Sequence, residues 1–344
     1  MTSALCTFSI RVACAFVTAG SVICTGEALA AADAAPYSVL QHIAAKDGGY
    51  DYVSVDSTAQ RLYMARNDGV MTVDLRTNKV TPRFVAGDEA AAVLIIPDTS
   101  LMLSTNWANG KATLFDRLTG QIEAHIAVGK GPDAALYDPA SKLVFVMNGE
   151  SNDVSLVDVT KAATVATIPV GGKPEAAASD GHGRVYLNIE DTAEIVVIDS
   201  GAHKVVGRYA MKGCEEPTGL AFDASSGLLI SACHNSVAKL IEARTGADKG
   251  SARIGKDADG AIFDATKRLV FIPSNNGTLT IFKLATNGKA QPVQQVTTHE
   301  GARTAALDPT TGRLYLPSAN FVDGKDGERE AVAGTFEVLV VGRK

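Results

Sequence analysis

The sequence predicts an all-β protein, a seven-bladed β-propeller with four antiparallel strands in each blade. Three observations predict it. A phrase of about 42 residues recurs seven times, each copy holds short runs rich in Val, Ile, Leu and Thr, and turn residues separate these runs. Repeats of about forty residues that each hold four short strands are typical of propeller blades.

Each repeat is marked by an Asp that follows one apolar run and precedes the next by a few turn residues. Seven such residues are spaced by 40 to 44 positions: Asp56, Asp98, Asp138, Asp180, Asp223, Asp264 and Asp308. A second acid ends the third run of five copies: Asp74, Asp116, Asp158, Asp199 and Glu242. Lys283 breaks that series in the sixth copy. Because Asp accepts hydrogen bonds from nearby backbone amides, turn capping is favoured over a ring of metal ligands.

The two ends of the chain are predicted to meet in the last blade. The run Tyr37–Ile43 is similar to the fourth strands of other repeats, such as Gln121–Ile126. The seventh repeat supplies only three strands, the last of them Phe336–Val341. The N-terminal strand would therefore close the last blade and remove an open sheet edge.

The first thirty residues differ from the rest and are predicted to be a secretory signal peptide. Arg11 is the only charge before Glu27, Val12–Cys24 is an apolar stretch, and Ala28-Leu29-Ala30 offers small residues for cleavage. The apolar stretch is too short to span a bilayer. We therefore expect a signal peptide over residues 1–30, a single propeller domain over residues 31–344 without a membrane span, and a periplasmic or secreted location.

Cysteine usage fits that location. Cys6, Cys14 and Cys24 lie within the predicted signal peptide, so the mature chain keeps two cysteines, Cys214 and Cys233. An even count in an oxidising compartment predicts a disulfide between them.

Composition and the absence of known motifs reduce the number of function classes that fit this sequence. The net charge is −6, without a long run of either sign, which argues against a broad nucleic-acid surface. The sequence lacks a Gly-x-Ser-x-Gly elbow, a phosphate-binding loop, a His-Glu-x-x-His motif and a Cys-x-x-Cys motif. The balance is against an enzyme, and the sequence leaves the question of a cofactor open.

Three segments of the third repeat resemble the YVTN-type propeller repeat: 129–138, 146–148 and 152–171. Within this repeat, Phe145-Val146-Met147-Asn148 stands where the motif that names the repeat falls. The mature chain resembles the YncE-like family of exported bacterial propellers over nearly all of residues 36–344. This resemblance implies the propeller fold. Some members resemble single-strand nucleic-acid binders, and propellers of neighbouring sequence serve in cofactor enzymes, so the family resemblance leaves the function open.

The candidate site lies on one face of the predicted propeller. If the strands of a blade are lettered A to D in order, the A–B and C–D turns lie on one face, and the D–A and B–C loops lie on the other, here called the D–A/B–C face. The turns of the first face are nearly uniform, whereas the D–A/B–C face carries the sequence variation. Sites are commonly built on loops held by a rigid scaffold.

The positions five residues before each marker Asp should ring the mouth of the central channel. They are Asp51, Val93, Asp133, Glu175, Thr218, Asp259 and Arg303. An insertion in blade two blurs the assignment of Val93. The four acids and Arg303 could bind a cation or a basic ligand, or could raise one carboxyl pKa by repulsion. The favoured alternative is that neighbouring loop amides donate hydrogen bonds to each carboxylate.

Two loops add to this face. Trp107 in the B–C loop of blade two is the best candidate for an exposed stacking surface. The alternative is that it packs as a lid on the adjacent blade. The longest loop, Ser318–Gly334, belongs to the last blade, and a loop of this length is either functional or disordered.

We therefore expect a monomeric binding or scaffolding protein of the cell envelope, with a protein or a small molecule as its partner. The predicted ligand-binding residues are Asp51, Asp133, Glu175, Asp259, Arg303 and Trp107. Two alternatives stay open: a metal-dependent hydrolase or lactonase at the acidic channel mouth, and a single-strand nucleic-acid binder. An acidic mouth and few aromatic residues weigh against the latter.

Overall fold

Strand-forming runs separated by turn residues give an all-β chain in the computed structural model, which describes residues 35–324 and 329–344. The predicted signal peptide, residues 1–30, lies outside the described residues.

Blades one to four take four consecutive strands each. Blade one holds β2 (Tyr50–Asp56), β3 (Arg61–Arg66), β4 (Gly69–Asp74) and β5 (Lys79–Ala86). Blade two holds β6 (Ala90–Ile95), β7 (Leu101–Asn106), β8 (Lys111–Asp116) and β9 (Ile122–Ala127). Blade three holds β10 (Pro132–Asp138), β11 (Leu143–Asn148), β12 (Asp153–Asp158) and β13 (Ala163–Pro169). Blade four holds β14 (Pro174–Ser179), β15 (Arg184–Ile189), β16 (Glu194–Asp199) and β17 (Lys204–Ala210).

The remaining blades complete the ring. Blade five holds β18 (Pro217–Asp223), β19 (Leu228–Cys233), β20 (Val237–Glu242) and β21 (Asp248–Arg253). Blade six holds β22 (Ile262–Asp264), β23 (Leu269–Ser274), β24 (Asn276–Leu284) and β25 (Ala290–Glu300). Blade seven holds β26 (Ala306–Asp308), β27 (Arg313–Ser318), β30 (Glu337–Arg343) and β1 (Tyr37–Ala44). The first strand of each blade contacts the first strand of the next, and β26 contacts β2, so the ring is closed. The fold predicted from the sequence is confirmed.

The N-terminal strand closes blade seven as predicted. Strand β1 pairs antiparallel with β30, with Tyr37 opposite Arg343 and Ile43 opposite Val338. The side chain of Gln294 in blade six accepts a hydrogen bond from the backbone N–H of Tyr37 and donates one to its carbonyl, at 2.9 and 2.8 Å. This strand therefore joins the two ends of the chain and is fastened to blade six.

The core is divided among the interfaces between blades. The second and third strands of a blade are buried on both faces, as in β15 and β16, because each sheet packs between two neighbours. Outer strands such as β17 alternate between exposed and half-buried residues. Among the described residues, seven apolar clusters correspond to the seven blade interfaces. Each blade is therefore stabilised mainly by its two neighbours.

The acids of the repeat cap turns, as the sequence favours. The Asp56 carboxylate accepts a hydrogen bond from the backbone N–H of Ala59, and that of Asp116 accepts bonds from the N–H groups of Leu118 and Thr119. Asp138 also joins two blades, because the Ser179 hydroxyl donates to it at 2.6 Å.

Three further features bear on the D–A/B–C face. Cys214 and Cys233 form the disulfide that the sequence predicts, with Cα atoms 5.4 Å apart. The loop Ser318–Gly334 carries a small hairpin of β28 (Phe321–Asp323) and β29 (Arg329–Ala331). The structure contains a 3-10 helix at Trp107–Asn109.

No described helix has the length and apolar character needed to cross a membrane.

Candidate functional site

The mouth of the central channel on the D–A/B–C face is a charged cavity of about 370 Å³. Five of the predicted site residues line it: Asp51, Asp133, Glu175, Asp259 and Arg303. The repeat places them there because each lies at or just before the start of the first strand of a blade, where the D–A loop enters the channel.

Blade two departs from this pattern, and the assignment of Val93 is wrong. In blades one and three, Asp51 and Asp133 lie at a β-bulge between the first two strands. The corresponding bulge in blade two falls between Ala90 and Val93, so Ala91 takes this position. The reason is that β6 ends at Ile95 and two residues separate it from the marker Asp98, whereas the other marker residues end their strands or follow them directly.

Arg303 neutralises two of the acids. Its Nε lies 3.1 Å from Oδ2 of Asp259, and its Nη2 lies 3.7 Å from Oδ2 of Asp51. The charge of Asp259 raises the pKa of the Arg303 guanidinium, so it stays protonated. In contrast, burial raises the pKa of Asp51 well above its usual range, and the nearby charges of Asp259 and Asp133 add to this although Arg303 opposes it. The other carboxylate oxygen of Asp51, Oδ1, is buried and accepts no hydrogen bond from any described residue.

Lys173 and Glu190 form a second charged group that sequence reasoning missed. The Nζ of Lys173 lies 3.2 Å from Oε1 of Glu175 and also contacts Glu190. Burial, the charge of Asp133 and a hydrogen bond with Glu190 raise the pKa of Glu175. The same hydrogen bond lowers the pKa of Glu190 although burial opposes it. Lys173 therefore bridges two glutamates whose pKa values shift in opposite directions.

Asp133 is left without a partner. Arg303 pairs with Asp51 and Asp259, and Lys173 pairs with Glu175 and Glu190. Within residues 35–324 and 329–344, no side chain or backbone group forms a hydrogen bond or ion pair with the Asp133 carboxylate. Burial, and next the charge of Asp259, raise its pKa to about 6. Asp133 is the acid of this mouth whose negative charge the protein compensates least.

Trp107 lies beside this mouth in a second cavity of about 260 Å³, which shares Asp51 and Asp133 with the first. Tyr50 and Glu89 also line it. Trp107 is half-buried: its ring edge approaches to 3.5 Å of the point where a Cβ on Gly149 of blade three would lie. The indole therefore packs on the adjacent blade and also borders the cavity. Its position combines the two alternatives considered for Trp107, a stacking surface and a lid on the adjacent blade.

A third cavity, of about 580 Å³, adjoins the mouth on the other side and shares Arg303 and Asn275 with it. Its wall includes the aromatic rings of Tyr50, Phe321 and Phe336. Phe321 belongs to the hairpin of the long loop, so this loop builds part of the D–A/B–C face. Three adjoining cavities thus lie on the face that carries the sequence variation.

The acids do not converge as metal ligands. Within the part of the chain that the structure describes, no group of three or more His, Cys, Asp or Glu residues is placed to hold a metal ion. Basic side chains lie among the acids instead.

Below the mouth, Tyr52 lines both this cavity and the deeper channel, where its hydroxyl donates to the carbonyl of Asp259 at 3.4 Å.

Sequence reasoning placed most of the mouth but not its ion pairs. Lys173 stands two residues before Glu175, and this proximity in the D–A loop was a signal that could have been used. The contact with Glu190 had no sequence signal, since it depends on a side chain that reaches from the D–A loop to the B–C loop of blade four.

No family model and no curated protein matches the sequence. Solved structures show the fold. A chain of Kuenenia stuttgartiensis hydrazine synthase is similar with a TM-score of 0.69 and 16% identity, over 85% of this chain and 97% of that chain. A chain of the mitotic checkpoint complex is similar with a TM-score of 0.74 and 13% identity, over 100% and 99%. The β-propeller domain of Myceliophteria thermophila Cps50 (Swd1) gives 0.68 and 15%, over 90% and 100%.

Proposed function

We propose that this protein is an exported, YncE-like propeller of the cell envelope that binds a protein or a small molecule through its D–A/B–C face. One observation carries the proposal: three adjoining cavities, linked by Arg303, Asn275, Asp51 and Asp133, lie on this face. Adjoining concave surfaces with a few convergent polar groups are where proteins bind ligands.

The charged groups of the mouth favour binding over metal-dependent hydrolysis. A hydrolase of that kind would need carboxylates that converge on one ion and leave it an open position for water. Here Arg303 and Lys173 pair with four of the carboxylates. Side-chain ammonium and guanidinium groups therefore occupy the places where an ion would have to bind.

The same charges disfavour single-stranded nucleic acid. Six carboxylates line the mouth: Asp51, Asp133, Glu175, Glu190, Asp257 and Asp259. The permanent cations among its lining residues are Lys173 and Arg303. Phosphate backbones are bound by grooves with an excess of basic residues, and this mouth has the opposite balance.

The fold is consistent with binding or scaffolding. One structural neighbour belongs to the mitotic checkpoint complex, which is an assembly of proteins. A rigid ring that presents loops on one face suits such a role, since the scaffold fixes the positions of the binding groups.

Export is part of the proposal and is tested by mass. The N-terminal sequence and the disulfide between Cys214 and Cys233 support it. When the full chain is expressed in a host with a periplasm, we expect the intact mass of the exported protein to lack residues 1–30. A full-length cytosolic product would contradict export.

The binding face is tested by photo-crosslinking from two exposed alanines on opposite faces. Ala108 lies in the 3-10 helix beside Trp107, and Ala202 lies in the C–D turn of blade four. A photoreactive amino acid replaces one or the other in the exported protein, and intact mass spectrometry follows irradiation of whole cells. We expect an adduct of defined mass from Ala108 and none from Ala202. No adduct from either position, or equal adducts from both, would overturn the proposal.

A further inference from the structure

The cavity beside Trp107 combines aromatic and acidic side chains around a small volume. Trp107 and Tyr50 supply aromatic rings, and Asp51, Asp133 and Glu89 supply carboxyl groups. Trp107 is anchored there, because its backbone N–H donates to the carbonyl of Glu89 at 2.9 Å. An aromatic ring with carboxylates beside it attracts a cation by both the ring quadrupole and the full charges.

Two of the three carboxyl groups of this cavity lack cationic partners among the described residues. Among residues 35–324 and 329–344, no group forms a hydrogen bond or ion pair with the carboxylates of Asp133 and Glu89. Asp51 pairs with Arg303 through Oδ2 alone, while its Oδ1 is buried and accepts no hydrogen bond. Asp133 and Glu89 are therefore the two carboxylates of this cavity that remain for a ligand.

The protein's own cations are committed elsewhere. Arg303 lies in the adjoining mouth with Asp259, and Lys173 lies there with Glu175 and Glu190. The Nζ of Lys173 is held by these two glutamates, although its Cε and the Trp107 ring both lie 3.5 Å from where a Cβ on Gly149 would be. The cavity beside Trp107 is therefore bordered by the unpaired carboxylates of Asp133 and Glu89, and no described lysine or arginine lines it.

From these contacts we infer that the cavity between Trp107 and Asp133 binds the ammonium group of an organic amine. This inference rests on the proposed function and names the ligand class for that face. The ammonium group donates to the carboxylates of Asp133 and Glu89, and the carbon skeleton packs on Trp107. A bare metal ion is the poorer fit, because no described group of three or more His, Cys, Asp or Glu residues is placed to hold one and an aromatic wall offers it no ligand.

The test uses benzylammonium as the probe and benzyl alcohol as its neutral counterpart. Calorimetric titration of the mature, disulfide-bonded protein is expected to show benzylammonium binding at least tenfold more tightly than benzyl alcohol. Since Trp107 is the single Trp of the chain, its fluorescence should change along the same isotherm. Equal affinity for the two compounds, or no binding of either, would overturn the inference.

Three variants assign the binding to this cavity. Asp133→Asn and Trp107→Ala are each expected to weaken benzylammonium binding tenfold or more. Glu89→Gln, at an exposed position, is expected to weaken it several-fold and serves if Asp133→Asn fails to fold. The matched control is Glu123→Gln, which removes the same charge from the exposed strand β9 and should leave binding unchanged. Unchanged binding in Asp133→Asn or Glu89→Gln would overturn the inference.

The inference and the proposed function fail separately. If Ala108 captures an adduct in cells and benzylammonium does not bind, the D–A/B–C face remains the binding surface and its ligand is not an amine. If neither occurs, both are wrong.

Discussion

The carboxyl group of Asp133 is ionised at neutral pH at the expense of the fold. Its pKa in the folded state, about 6, lies above the ordinary pKa of an Asp side chain, which is about 3.9. The folded state therefore binds this proton more tightly than the unfolded state. Protonation of Asp133 therefore contributes to the free energy of unfolding. This contribution is fully present below about pH 4 and is lost as pH rises through about 6.

Replacing Asp133 by Asn should remove this dependence. At pH 4 the variant and the wild type should have similar free energies of unfolding, because both side chains are neutral. At pH 7.5 the variant should be more stable, by on the order of 2 kcal/mol for a shift of this size. Urea denaturation at the two pH values measures the difference. Asp51 and Glu175 also have raised pKa values, and they are present in both proteins, so the comparison isolates Asp133. Equal stability at pH 7.5, or a less stable variant, would show that the Asp133 charge is compensated in solution.

Gly219 shows how closely β18 approaches the loop that leads into blade six. A Cβ at this position would lie 2.4 Å from the carbonyl carbon of Gly260 in the next blade, against backbone that cannot move aside. Gly207 in the outer strand β17 is a matched control, since a Cβ there would make ordinary contacts at 3.6 Å.

Gly219→Ala should therefore lower the free energy of unfolding by about 2 kcal/mol or more, as overpacking does. Gly207→Ala should have little effect or slightly stabilise the strand. Urea denaturation of both variants decides between them. Equal stabilities would mean that blades five and six lie further apart than the structure places them.

At the scale of the element, β1 is the strand that completes the last blade. It buries Tyr37 and Ile43, pairs with the whole of β30, and contacts blade six through Gln294. Without it, β30 would present an open edge, and such edges promote aggregation.

Deleting residues 31–45 should lower the melting temperature of the mature protein by about 10 °C. The estimate assumes the loss of several kcal/mol from burial and pairing, spread over a chain of this size. A synthetic peptide of residues 35–46 should bind the truncated protein and restore part of the loss. An unchanged melting temperature, or a peptide that binds the intact protein equally well, would contradict the role of β1 as the closing strand.

At the scale of the whole molecule, the seven Asp markers predicted the blade count because the fold repeats one local unit. The same regularity predicted that Asp51, Asp133 and Glu175 would meet at one mouth. It failed for Val93, where two extra residues between β6 and Asp98 shifted the register by two. The ion pairs of Lys173 were not predictable, because they depend on how far a long side chain reaches. A repeat thus fixes where backbone positions lie and says little about which side chains meet.

Hydrogen exchange of the wild-type mature protein, with and without the molecule captured from Ala108, shows which face binds that molecule. We expect slower exchange in loops of the D–A/B–C face, at residues 47–52, 87–91, 105–110 and 129–134. The C–D turns at residues 74–78 and 199–203 should exchange at the same rate in both samples, because they lie on the opposite face. Protection confined to those turns, with the channel mouth unchanged, would contradict the claim that this propeller binds through its D–A/B–C face.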